Sequence, residues 1–206
     1  MKVDSSFSVE APGEWPQLLQ TWASLLDRYI GANVGDEMDV PYWYGERALT
    51  GLLAAAAWSL PNCWSLEEFL GRRGNGGSDK AGRGDLWIGG KVGDYTIEAK
   101  HCPAYDQAST AVDWARDRLD DAARQLRALA PVYRWGKPVA LCYVVPDLQG
   151  TLSTGQCAEL CEKVGRGLAK DVSIVATYQM RTSLPKDGGR VYPGVIVVGK
   201  ILPGWA

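Results

Sequence analysis

The chain has 206 residues, 46% of them hydrophobic and 10% aromatic, with 22 Lys and Arg against 24 Asp and Glu for a net charge of −2. This composition excludes a disordered chain and a polybasic, histone-like protein. It leaves room for a nucleic-acid partner, because local charge can differ from the total. The length predicts one domain over residues 1–206, large enough to bury a core without disulfide or metal staples.

The first residues lack the apolar run of a secretory signal. No apolar stretch approaches the roughly 18–20 residues of a membrane span, so no membrane partner is expected. The five cysteines, Cys63, Cys102, Cys142, Cys157 and Cys161, are odd in number and contain no C-x-x-C pair. They are read as reduced thiols of a cytoplasmic protein.

Taken in chain order, residues 15–30 show apolar spacing that predicts an amphipathic helix with Gly31 just past its end. Together with what precedes it, this makes residues 1–40 a helical N-terminal extension. A Leu/Ala-rich helix is predicted over 42–59, stopped by Pro61. The glycine-rich stretch 71–84 holds Arg72, Arg73, Lys80 and Arg83 against Asp79 and reads as a mobile loop. Those four cations are candidate phosphate contacts. Residues 85–88 and 95–101 read as a β-hairpin around a glycine-rich turn. A helix over 110–129 has arginines and aspartates that cancel. Thereafter 138–145 is a strand buried on both faces, 154–170 a helix, and 172–180 and 191–201 strands. A core motif region over 42–145 and a further helix with strands over 146–206 complete the α/β arrangement, a mixed sheet flanked by helices.

Chemistry concentrates on two of these elements. On the second helix Glu46 shares a stripe with Leu49, Leu53 and Ala57, which places a carboxylate toward the buried side. Such a group needs a partner or a cation. A hairpin turn centred between Lys91 and Val92 sets Asp85 opposite Glu98. Strand alternation then puts Glu98 and Lys100 on one side, Ile97 and Ala99 on the other. Oxygen ligands of this type suit Mg²⁺ or Mn²⁺. Without such a site, Glu98 and Lys100 form an ordinary ion pair and Glu46 pairs with Arg47 or Arg83. His101, the one histidine, alternates to the far side. Cys157 and Cys161 read as buried thiols. Trp43 and Tyr44 are the aromatics expected nearest a substrate.

Glu46 in GER, Asp85 in GRGDLWI and Glu98-Ala99-Lys100 in YTIEAKH resemble the PD-(D/E)XK nuclease superfamily, in motif and in order of elements, over residues 42–145. Gly84 stands at the proline position of the pattern. Gln125 matches the glutamine of a Q-x-x-x-Y motif found in some branches, with Leu129 in place of the tyrosine. The resemblance implies a restriction-endonuclease-like fold and a Mg²⁺- or Mn²⁺-dependent nuclease acting on DNA more than RNA. It assigns Asp85, Glu98 and the Ala99 carbonyl to the metal, Glu46 to a second ion or its water, and Lys100 to the attacking water. The near-neutral charge fits a homodimer or a larger assembly that adds DNA contacts. The rival expectations are a catalytically silent binding or regulatory module of the same fold and an RNA-directed, toxin-like nuclease.

Overall fold

In the computed structural model, seven strands form one mixed sheet with helices on both faces. The structure describes residues 3–33, 39–73, 80–105, 108–149, 153–181, 186–187 and 189–205. The strands of this sheet are β1 (Ser5–Glu10), β2 (Cys63–Arg73), β3 (Lys80–Gly90), β4 (Tyr95–Ala104), β5 (Lys137–Pro146), β7 (Ile174–Met180) and β10 (Gly194–Ile201). A small second sheet is built from β6 (Leu148–Gln149), β8 (Lys186–Asp187) and β9 (Arg190–Val191). The large sheet runs β1-β7-β10-β5-β4-β3-β2. Its β4–β5 pair is parallel and its other pairs are antiparallel.

The parallel pair follows from its connection, since α3 (Ala108–Arg127) crosses from the end of β4 to the start of β5. β5 lies at the centre and is buried along its whole length after Lys137, as its unbroken apolar sequence requires. One face of the sheet carries α1 (Trp15–Ala32) and α2 (Glu46–Trp58), the other α3 and α4 (Thr154–Leu168). Trp22, Leu26, Leu49, Leu53 and Tyr143 fill the first layer, and Leu119, Leu126, Val144 and Leu168 the second. Each large apolar side chain so buried contributes about 1.5–3 kcal/mol. The Trp22 indole N–H donates to the Leu49 carbonyl at 3.2 Å and ties α1 to α2. Ser153 and Gln156 cap α4 reciprocally. Among the described residues, no helix is long and apolar enough to cross a membrane.

Four local expectations change. Residues 5–10 are a strand paired antiparallel with β7, so the N-terminal segment joins the sheet as well as supplying a helix. The first helix continues through Gly31 and is capped at Asn33. The second begins only at Glu46, because Gly45, at φ 79°, separates it from a 3-10 turn over Pro41–Tyr44. The largest change is at the two ends of 71–84, residues 71–73 and 80–84; residues 74–79 of that expected loop lie outside the described residues. The strands run into this stretch from both sides, with Gly71 opposite Gly82 and Arg73 opposite Lys80. Ladder bonds use backbone groups alone, so glycines can pair. Gly84 is there for packing, since a Cβ on it would lie 2.2 Å from the Phe69 ring.

Candidate functional site

The β3–β4 pairing has the expected register, with Leu86 opposite Ile97, Trp87 opposite Thr96 and Ile88 opposite Tyr95. Regular pairing stops at Leu86. Beyond it the Ala99 amide donates to Asp85 Oδ2 at 2.8 Å, so a carboxylate takes over from a strand carbonyl. A buried amide requires such an acceptor, and this one fixes the Asp85 side chain against β4.

Lys100 Nζ lies at this split. It donates to the Ala99 carbonyl at 2.6 Å and stands 3.4 Å from Glu98 Oε1 and 3.7 Å from Asp85 Oδ2. Glu98 is 1% exposed, which separates this arrangement from an ordinary surface pair. A buried carboxylate depends on its cation far more than an exposed one does.

Glu46 arrives from the other direction, in the first turn of α2. Leu49, Leu53 and Ala57 of the same stripe are buried, while Glu46 itself is half-buried at the stripe's open end. Burial pushes its carboxyl above the ordinary range. The Lys100 charge pulls it back, Asp85 pushes it further up, and a hydrogen bond from the His101 backbone N–H draws it down. Glu46 therefore feels both Lys100 and Asp85. Asp85, Glu98 and Lys100 thus meet at one place, and Glu46 shares a cleft with Asp85. Beneath them the phenol of fully buried Tyr143 is pushed up, first by desolvation and then by the Glu46 and Asp85 charges.

A cleft of about 290 Å³ opens onto Glu46 and Asp85, lined also by Arg47, Thr50, Glu67, Glu68 and Arg83. Glu67 and Glu68 were not singled out in the sequence. Their signal is β2 itself, whose register with β3 carries Glu68 alongside Asp85. Arg83 donates to Glu68 at 2.5 Å, and Arg47 pairs with the same carboxylate. Arg47 and Arg83, the arginines expected beside Glu46, both pair with Glu68. Arg83 sits at the cleft, but in an ion pair. The side chains of Arg72, Arg73 and Lys80 lie outside the described residues.

The remaining expectations sort by packing. Trp43 packs edge-on against Tyr192 with centroids 5.5 Å apart, whereas Tyr44 is exposed. Cys157 and Cys161 are buried free thiols. His101 is half-buried, and desolvation followed by the Arg118 charge holds its imidazole below the usual value.

Among the described residues, no three Asp, Glu, His or Cys side chains form a ready-made ion cage. The oxygen set nevertheless fits a small hard cation. Asp85, Glu98 and the Ala99 carbonyl already converge on one positive charge, the Lys100 ammonium. Comparison with protein-family models, with curated proteins and with solved structures gives no match, so the reading of this centre rests on its own geometry.

Proposed function

We propose that this chain is a Mg²⁺- or Mn²⁺-dependent nuclease of the PD-(D/E)XK type, with a restriction-endonuclease-like fold, that hydrolyses phosphodiester bonds of DNA. The observation that carries this reading is the convergence of Asp85, Glu98 and the Ala99 carbonyl on Lys100 Nζ where β3 and β4 part. Asp85, Glu98 and that carbonyl would hold the ion, with Glu46 facing the same space. A bound ion supplies Lewis-acid polarisation of the phosphodiester.

The chain's own groups supply the rest. Lys100, carried on the same strand as Glu98, orients the attacking water by donating to it and offsets negative charge that grows on the phosphorus oxygens. Glu46, in the first turn of α2 and on the cleft it shares with Asp85, would hold a second ion or its water. The Asp85 bond to the Ala99 amide aligns β4 so that the Ala99 carbonyl faces the ligand set.

Purified protein incubated with plasmid DNA, with single-stranded DNA and with RNA, in Mg²⁺, Mn²⁺ or EDTA, tests this directly. The expected outcome is ion-dependent cleavage, faster on DNA, that falls about 10²–10³-fold in Lys100→Ala. Wild-type protein that leaves every DNA and RNA intact in both ions overturns the catalytic reading and favours a silent module. Cleavage of RNA alone replaces the substrate and keeps the chemistry.

A further inference from the structure

Helix α3 has two unlike flanks. At about 100° per residue, its buried stripe of Ala111, Ala115, Leu119, Ala122 and Leu126 divides a flank with Arg116, Asp120 and Arg127 from one with Trp114, Arg118 and Gln125. The first flank is engaged toward α4 and β10. Arg116 Nε donates to Asp171 at 2.9 Å, and Lys200 Nζ donates to Asp120 at 3.1 Å.

The second flank lies on the β4 side of the helix, where Ala111 and Ala115 of the stripe pack in one cluster with Cys102 and Ala104 of β4. The contact of Arg118 with Asp121 is long, at 3.8 Å, and its side chain is 52% exposed. One turn earlier Trp114 is 41% exposed and meets Tyr105 edge to face, with centroids 5.8 Å apart at 87°. Tyr105 follows directly from the end of β4, and the Arg190 guanidinium lies over its ring at 5.8 Å. A cation and a 41% exposed indole thus stand one helical turn apart beside β4, the strand that carries Glu98 and Lys100. Residues at this spacing have Cβ atoms about 5–6 Å apart, within the span of one nucleotide.

We propose that Trp114, Tyr105 and Arg118 form a ledge for an unpaired nucleic-acid strand. A phosphate rests on the Arg118 guanidinium and the adjoining base stacks on the exposed face of Trp114. The inference rests on the phosphodiester reading of the centre and narrows its substrate to strands with accessible base faces. In a duplex each base face is covered by its neighbours, so the indole could not stack on it. Aromatic stacking is also the term best suited to a chain of net charge −2, whose 22 Lys and Arg are outnumbered by 24 Asp and Glu.

Fluorescence anisotropy tests this with a labelled mixed-sequence 15-mer, as single-stranded DNA, single-stranded RNA and duplex DNA, in EDTA so that nothing is cut. Either single strand should bind more tightly than duplex, and the tighter of the two identifies the source. Trp114→Ala should weaken single-strand binding about five- to hundredfold. Arg118→Ala should lower the salt slope by about one, with Arg118→Lys retaining it. Arg127→Ala, on the opposite flank, should bind like wild type. Duplex bound as tightly as single strand, or Trp114→Ala and Arg118→Ala indistinguishable from Arg127→Ala, overturns the ledge. Plasmid or RNA cleavage with no effect of Trp114→Ala on binding removes the ledge and leaves the catalytic reading. Binding through Trp114 without any cleavage does the reverse.

Discussion

Strand β4 has two stretches that differ in their partners on β3. From Tyr95 to Ile97 it pairs residue for residue with β3, and Leu86, Ile88 and Ile97 are wholly buried. From Glu98 to Lys100 its partnership with β3 passes to an Asp85 side chain, and an acid and an amine follow the neutral Thr96 on one face. The dry stretch holds the wet stretch in place. Its register alone brings Asp85 level with Glu98, and the parallel pairing with β5 keeps β4 straight after β3 leaves. Polar groups that a regular ladder would exclude are tolerated here because each is held by another, and the cost of gathering them is met by the packed strands on either side.

This contrast can be broken most forcefully at Lys100. Lys100→Met removes the cation from a carboxylate that is 1% exposed, and in EDTA it should cost about 3–5 kcal/mol in urea unfolding. Mn²⁺ should restore more stability to this variant than to wild type, because both cations serve the same oxygens. An equal Mn²⁺ effect in the two proteins would mean that the ion and the ammonium do not share a site. In the dry stretch, Ile97→Ala should cost about 2–5 kcal/mol, and by the same amount with or without Mn²⁺. A loss that varied with the ion would show that the two stretches are not energetically separate.

The smallest effect concerns Glu46. Burial raises its carboxyl in the folded chain, so the native state binds a proton more tightly than the unfolded state does. Stability then falls as pH rises from the ordinary value of 4.5 through the raised folded value, and the cost is fully present above it. Glu46→Gln cannot ionise. In EDTA it should melt on the order of a degree or two above wild type at pH 8, and level with it at pH 4. A difference of the same size at both pH values would assign the effect to shape instead of charge.

Much of this arrangement was legible because it is local. Alternation along 95–101 and a glycine-rich turn sufficed to pair Asp85 with Glu98, and helical spacing sufficed to put Glu46 on one stripe with Leu49, Leu53 and Ala57. Its place at the open end of that stripe emerges only with the helix start at Glu46. What stayed hidden depends on distant partners. The segment 5–10 is a half-exposed edge strand whose partner β7 lies more than 160 residues away. Strand β2 lacks clean alternation because Glu68 sits at φ 44°, so Glu67 and Glu68 gave no period-2 signal despite lining the cleft. The glycines of 71–84 read as mobility, although Gly84 makes room for an aromatic ring. The charges of α3 cancel in sequence, and only its packing shows that Arg116 pairs with Asp171 while Arg118, on the other flank, keeps a long 3.8 Å contact with Asp121.

The central claim is that Asp85 and Glu98 hold a divalent ion where the two strands part, and calorimetric titration with Mn²⁺ tests it most directly. The account expects saturable binding to the wild-type chain, weakened at least about tenfold in both Asp85→Asn and Glu98→Gln, since loss of even an outer partner costs about that much. Folded variants that bind Mn²⁺ as tightly as wild type would contradict it.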